Sequence, residues 1–307
     1  MFETKLVASP VQKIVFAIVN QKQNENTRQN YASALTQFFR WYQNTEYSEL
    51  SPEVIREYIL YMKHSGYARS TIATKLSITK QLFRELWKSG VIDNDTYTNL
   101  KEIKIKGPRG QRVKTWLSHE EIQLFLRSIQ NNNNRTIRDK AILATMLGSG
   151  LRRFEVSELE CSQIGKVEGR WAFTDIKGKG ERYRTVAIPE WCMNLIKKWL
   201  EMREELAWNF TERLFFSIRK NGTPGNTKIS PQAIRDLTRK YSNKYLGKPV
   251  LPHDLRRTYA QLSYRAGAPL RQIQISLGHS SIRTTEIYLG LDQDFIKAPG
   301  DYIKIKI

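Results

Sequence analysis

Residues 253–288, HDLRRTYAQLSYRAGAPLRQIQISLGHSSIRTTEIY, leave this chain little freedom. Pro252 suits the first position of a helix. His253 and Arg256 follow three apart, so an imidazole and a guanidinium project from one helix face. Gly278-His279-Ser280-Ser281 then interrupts the helical pattern, and Ser280 or Ser281 is placed to cap a last short helix, IRTTEIYLG, that carries Tyr288. On one continuous helix, at about 100° per residue, His279 and Tyr288 would point to opposite sides. The break at Gly278 lets His279 fold back toward the same pocket. Two histidines, an arginine and a tyrosine, with no carboxylate among those four, suit an anionic substrate and a hydroxyl nucleophile.

A chain of 307 residues predicts two domains with ample core. Its net charge is +20, from 50 basic against 30 acidic residues. Through Lys106 there are 15 basic and 10 acidic residues, and beyond it 35 and 20, so the two parts carry +5 and +15. The excess is shared by folded regions rather than confined to a tail, which points to nucleic acid as partner. Cys161 and Cys192 stand far apart with no CxxC spacing, which supports neither a disulfide framework nor a zinc site. VFAIV near the N-terminus is short and polar residues follow it, unlike a signal peptide. No apolar run approaches the roughly 18 residues that span a bilayer. The expectation is a cytoplasmic protein with no membrane contact.

Tyr31, Leu35, Phe38, Phe39 and Tyr42 recur at helical spacing and predict an amphipathic helix over 27–43. Ser51-Pro52 opens a second, with Val54, Ile55, Tyr58, Ile59 and Met62 inward. Ser70 is expected to cap a third, with Ile72, Leu76, Phe83 and Leu86 as its stripe and Lys75, Lys80 and Arg84 left largely free. A weaker pattern covers 10–20. The first hundred residues thus predict an all-helical unit of four or five helices, whose aromatics serve the core rather than base stacking. KIKGPRGQRVK, residues 104–114, mixes Gly, Pro and five bases and reads as a hinge that could cross a phosphate backbone.

Ser118-His119-Glu120-Glu121 forms a capping box for a helix to about Ile129, and 136–148 is a strongly apolar helix. In SGLRRFE, Arg152 and Glu155 lie at i and i+3, so the acid is placed to orient the guanidinium. Residues 170–188 predict a strand–turn–strand with Lys179 between Gly178 and Gly180 at the tip. Helices over 189–207 and 230–245 follow, with a strand edge and a cationic loop between them. After Pro299-Gly300, DYIKIKI alternates apolar and basic positions and reads as an exposed strand or tail seeking a partner.

Taken together, SGLRRFE, GKGER, HDLRRT, LGHSS and EIY resemble, in order, the signature blocks of the tyrosine recombinases: phage integrases, Xer-type recombinases and Cre. The resemblance implies a mainly α fold with a small antiparallel sheet. An all-helical, SAM-like core-binding domain (1–106) would be joined by a basic linker (107–115) to an α+β catalytic domain (116–307, tail from about 291), the two closing as a C-shaped clamp on DNA. It implies that Arg152 and Arg256 bind the phosphate, that Lys179 and His253 act as acid and base, that His279 is a further donor, and that Tyr288 is the nucleophile. Glu155 would buttress Arg152. Arg28, Lys75, Lys80, Arg84 and Lys106, with Arg109, Arg112 and Lys114 of the linker, are candidate DNA contacts. Ser149 and Arg257 depart from the common pattern of threonine and histidine, and neither is expected to touch an assigned role.

The chemistry asks for these groups. A tyrosine of pKa near 10 is about one part in a thousand ionised at neutral pH, a deficit of roughly 4 kcal/mol that a base or a positive field must offset. Guanidiniums clamp the nonbridging oxygens bidentately, doing work often given to metals, so neither cofactor nor metal is inferred. The implied partners are double-stranded DNA with specific core sites and three further copies in a synaptic tetramer. Without DNA the chain would be a monomer or weak oligomer, and the tail is expected to dock on a neighbour. Two other readings share the residues: a type IB topoisomerase that relaxes DNA, and a non-catalytic DNA-binding protein, for which Tyr288 would be superfluous.

Overall fold

In a computed structural model, the described residues are 9–105, 115–178, 182–207 and 210–290. The chain divides into two compact units, Met1–Gln111 and Arg112–Ile307.

Five helices build the described part of the first unit: α1 (Ser9–Asn20), α2 (Glu25–Gln43), α3 (Pro52–His64), α4 (Arg69–Lys88) and α5 (Asn94–Glu102). Asn24 and Asp93 start α2 and α5 by accepting the backbone N–H three residues on. The predicted apolar stripes converge on one core around Phe38, Tyr42, Tyr58, Phe83 and Leu86. Two expectations need correction. Helix α4 is capped from Ala68, not Ser70, and that cap makes no side-chain bond. The cations of α4 are not free. Lys75 bonds Gln37, Lys80 Nζ donates to the carbonyls of Lys101 (2.8 Å) and Ile103 at the end of α5, and Arg84 pairs with Glu85. Carbonyls at a helix C-terminus lack intrahelical donors, which is why an ammonium settles there.

The second unit contains α6 (His119–Ser128), α7 (Asn134–Ser149), α8 (Arg153–Glu158), β1 (Ile164–Val167), β2 (Arg170–Lys177), β3 (Tyr183–Ala187), α9 (Glu190–Ala207), α10 (Pro231–Leu246), α11 (Pro252–Arg265), α12 (Leu270–Leu277) and α13 (Ile282–Leu289). The Ser118–Glu121 capping box forms as its spelling predicts. Residues Ala141 to Ser149 of α7 are all buried, so this stretch of the helix has no solvent face and the others pack round it. Tyr241 of α10 donates to Asp139 of α7 (3.0 Å), which also accepts from Arg138, and these buried polar groups thereby satisfy one another.

The sheet is antiparallel in the order β1-β2-β3. Strand β1 is absent from the sequence reading, which sees one hairpin. Its four residues are too short to show alternation, and its marker is the Glu168-Gly169 turn, both at positive φ (50° and 78°) as a tight hairpin demands. The register of β2 and β3 slips between Phe173 and Ile176, setting Arg184 opposite Ile176. Between α9 and α10, isolated bridges at Arg213 and Ile218 replace the expected strand edge.

Candidate active site

Five segments deliver the site, and glycine permits the closest approaches. Gly150 ends α7 at φ 62°, and a Cβ there would lie 2.4 Å from the Tyr259 ring. Only glycine therefore lets the chain turn at this point and place Arg152 at the start of α8. Gly278 ends α12 at φ 62°, and a Cβ there would press on the Arg184 guanidinium at 3.1 Å.

Glu155 is the anionic hub. Its carboxylate accepts from Arg152 Nη1 (2.8 Å) and, in bidentate fashion, from Arg184 (3.0 and 2.7 Å), and it also caps the Arg152 backbone N–H (2.8 Å). Burial alone would push the carboxyl up, but the Arg184 hydrogen bonds and charge, helped by Arg152, outweigh it and hold the group below its ordinary range. The expected Arg152–Glu155 pair is thus present, and the carboxylate is 3% exposed rather than a surface partner.

Arg256 is almost fully buried and donates to the Gly150 carbonyl (2.6 Å) and to the Leu277 carbonyl. Burial, then repulsion from Arg152, lowers its pKa to about 10, so it stays a cation at neutral pH. Arg152 Nη2 reaches the Gly278 carbonyl at 3.4 Å. The two guanidiniums meet at the same turn, and that turn carries His279.

His279 Nδ1 lies 3.0 Å from Thr285 Oγ1 and Nε2 lies 3.4 Å from Arg256 Nη2. Since Arg256 donates, Nε2 accepts and the proton sits on Nδ1. Burial and the charges of Arg256, Arg152 and Arg184 push His279 down to about 4, so it is neutral at rest. The rings of His253 and His279 stand edge-on to Tyr288 at 5.3 and 5.4 Å, and the break at Gly278 brings His279 there as its place implied. The Tyr288 hydroxyl donates to the His253 carbonyl at 3.3 Å. Burial raises the phenol's pKa, against the pull of Arg256 and Arg257. Partial desolvation, then Arg257 and Arg256, keeps His253 below its ordinary value. On α13, Ser281 occupies the cap position without a side-chain bond.

Arg152, Glu155, His253, Arg256, His279 and Tyr288 are thus brought together. Lys179, Lys106, the linker residues Arg109, Arg112 and Lys114, and the tail lie outside the described residues. Arg28 is held by Glu25 (3.1 Å) and the Lys22 carbonyl (3.3 Å). Sequence reasoning missed Arg184, which binds Glu155 and donates to the Ser276 carbonyl at 2.9 Å, tying β3 to the turn that holds His279. The signal was the two-residue period of YRTVA, which puts Arg184 on the inner side with Val186. The expectation that Arg257 touches no assigned role is corrected, because its guanidinium lies over the Tyr288 ring, 5.1 Å from the centroid.

The model of the phage integrase family matches residues 115–294, and that of the phage integrase N-terminal SAM-like domain matches residues 11–93. The chain belongs to the phage integrase family. Among curated relatives of this chain, a tyrosine recombinase XerC of Thermodesulfovibrio yellowstonii is 29% identical over 276 residues, covering 88% of this chain and 87% of that one. One of Listeria welshimeri is 28% identical over 279 residues, 89% of each chain. Two solved structures share its fold. The XerH site-specific recombinase bound to difH in a pre-cleavage complex has a TM-score of 0.68 at 20% identity, covering 94% of this chain and 87% of that one. A lambda integrase dimer bound to a core site has a TM-score of 0.69 at 17% identity, covering 95% and 99%. The fold is therefore mainly helical with a small antiparallel sheet, as the sequence motifs implied.

Proposed function

We propose that this integrase is a site-specific tyrosine recombinase, which cuts and rejoins DNA strands through a 3′-phosphotyrosyl intermediate and exchanges them through a Holliday junction in a tetramer. The observation that carries the reading is the setting of Tyr288: two imidazoles edge-on to its ring, with Arg256 drawn in from a separate helix.

In this reading a phosphodiester enters between Arg152 and Arg256, which bind its nonbridging oxygens as charge gathers in the transition state. The arriving anion offsets the cations that depress His279, so Nε2 gains a proton and becomes a third donor. His253, held neutral, accepts the Tyr288 proton. The phenolate oxygen forms the bond to phosphorus as the bond to the 5′-oxygen breaks. Lys179 is assigned to protonate that leaving oxygen, giving a free 5′-hydroxyl. The phosphotyrosyl link keeps the bond energy for rejoining, so no nucleotide triphosphate is consumed. Glu155 and Arg184 fix the arginine platform.

The DNA-bound state of the structural relatives supports double-stranded DNA as substrate. The helical unit and the basic segment 107–115 are assigned to grip the duplex, and the tail from about residue 291 to a neighbouring subunit. The place of action is the cytoplasm, with the DNA; among the described residues no helix is long and apolar enough to cross a membrane.

The test is adduct capture on a nicked suicide substrate. The parent chain should become covalently linked at the 3′-phosphate, whereas Tyr288→Phe should bind the same DNA and yield no adduct. Undiminished linkage by Tyr288→Phe would remove the assignment of the nucleophile. Relaxation of supercoiled DNA by a monomer at arbitrary sequences would favour the topoisomerase reading.

A further inference from the structure

Arg257 ends on the ring that the other residues surround, and it is poorly satisfied where it lies. Only 14% of its side chain is exposed, yet Nη1 stands 3.6 Å from Asp254 Oδ1, too long for a hydrogen bond. Its Nε is buried without a hydrogen-bond partner among the described residues. Buried guanidinium N–H groups are normally paired, so a cation left in this state against an aromatic face calls for a reason beyond packing. Arg257 is four residues after His253 on α11, which puts it on the same helix face.

We propose that Arg257 is a positioning residue for Tyr288, clamping the ring against the two imidazoles and supplying positive charge that favours the phenolate as its proton leaves. The proposal rests on the reading of Tyr288 as nucleophile. A cation over a neutral phenol gains a modest attraction from the ring face. Over a phenolate it gains more, because the whole ring system then carries negative charge. Stabilisation that grows along the reaction is the kind that speeds it. The same charge opposes protonation of His253, which stays available as the base.

Arg257 does not act alone on the phenol. From α11, Arg256 works in the same sense and Asp254 in the opposite one. His253 and His279 flank the ring. On α12, the charged side chain is Arg271, which donates to Gln274 at 2.8 Å. Helix α13 itself contributes Arg283, which is exposed, and Glu286, which is half-buried.

The experiment is single-turnover cleavage of a suicide substrate by the full chain between about pH 6 and 9, where phenol and imidazole ionisation are both read. Arg257→Gln should cleave about tenfold more slowly than the parent at pH 7, one decade being the scale of a lost cation–π and charge contact. The deficit should shrink as pH rises, since the phenolate then forms without help. A deficit that stays constant with pH, or none at all, overturns the proposal. If circular dichroism shows Arg257→Gln unfolded, Arg257→Lys carries the test. Keeping the charge, it should keep the parent's pH profile, and a profile displaced to higher pH overturns the proposal. A parent chain that forms no adduct removes the nucleophile reading as well, so the two failures are distinct.

Discussion

The two sides of α11 are held very differently. Toward its N-terminus, Leu255 joins the large apolar core that holds the buried face of α7. Beyond it, Ala260 belongs to a separate small cluster, formed among the described residues with Ile273, Leu277 and Leu289, and Tyr288 packs on its edge. The arginine platform thus stands on the large core and Tyr288, the proposed nucleophile, on the small one. Opening free energy follows buried apolar contact, so the two sides are expected to loosen independently. In the proposed reaction the cations to be aimed before substrate arrives are on the firmly held side, and the group that would attack and later be released is on the side expected to loosen first.

The largest expected effect breaks the fixed side. Glu155→Gln leaves Arg184 and Arg256 buried without a counter-charge, and removal of one partner of a buried ion pair costs about 3–5 kcal/mol. Thermal unfolding should shift down sharply, and adduct formation should fall with it. A melting temperature within a degree or two of the parent would show that Glu155 does not hold the platform. Next comes a matched pair of leucines, each deletion worth about 2–5 kcal/mol where the surroundings are fully packed. Leu143→Ala, in α7, should lower the stability of the whole unit. Leu289→Ala should instead speed hydrogen exchange in α12 and α13 and barely move the main transition; equal global losses for both would erase the distinction drawn here.

The smallest effect is one of pH. His279 is lowered from 6.5 to about 4 in the folded chain. The unfolded chain therefore binds more protons between those values, and the contribution of His279 is complete above about pH 6.5 and lost as pH falls toward 4. Exchange protection of α12 and α13 should decline over that window before the main core responds. Protection unchanged down to pH 4 would mean that the imidazole does not depend on being neutral.

Much of this was legible in the residues. The capping box at Ser118, the stripes of α2 to α4 and the break at Gly278 are local signals, and each places its element within a residue or two. The charge-bearing motifs pointed to one site because Arg152, His253, Arg256 and His279 have no common local purpose. What escaped is long-range. Arg184 acquires its role only when β3 meets Glu155 from 29 positions away. Lys80 looked like a free helix cation until the end of α5 came back across it. Arg257 lay on the face of His253 by simple spacing, but nothing local said that Tyr288 would come to rest beneath it.

The bond from the Tyr288 hydroxyl to the His253 carbonyl acts as a safety catch. Its proton is given to a main-chain acceptor that cannot be neutralised or carried off, so in the proposed reaction attack would begin only once something draws the oxygen away. A net hydrogen bond is worth about 1 kcal/mol, a roughly fivefold bias toward the resting position and little enough for one well-seated backbone phosphate to overcome.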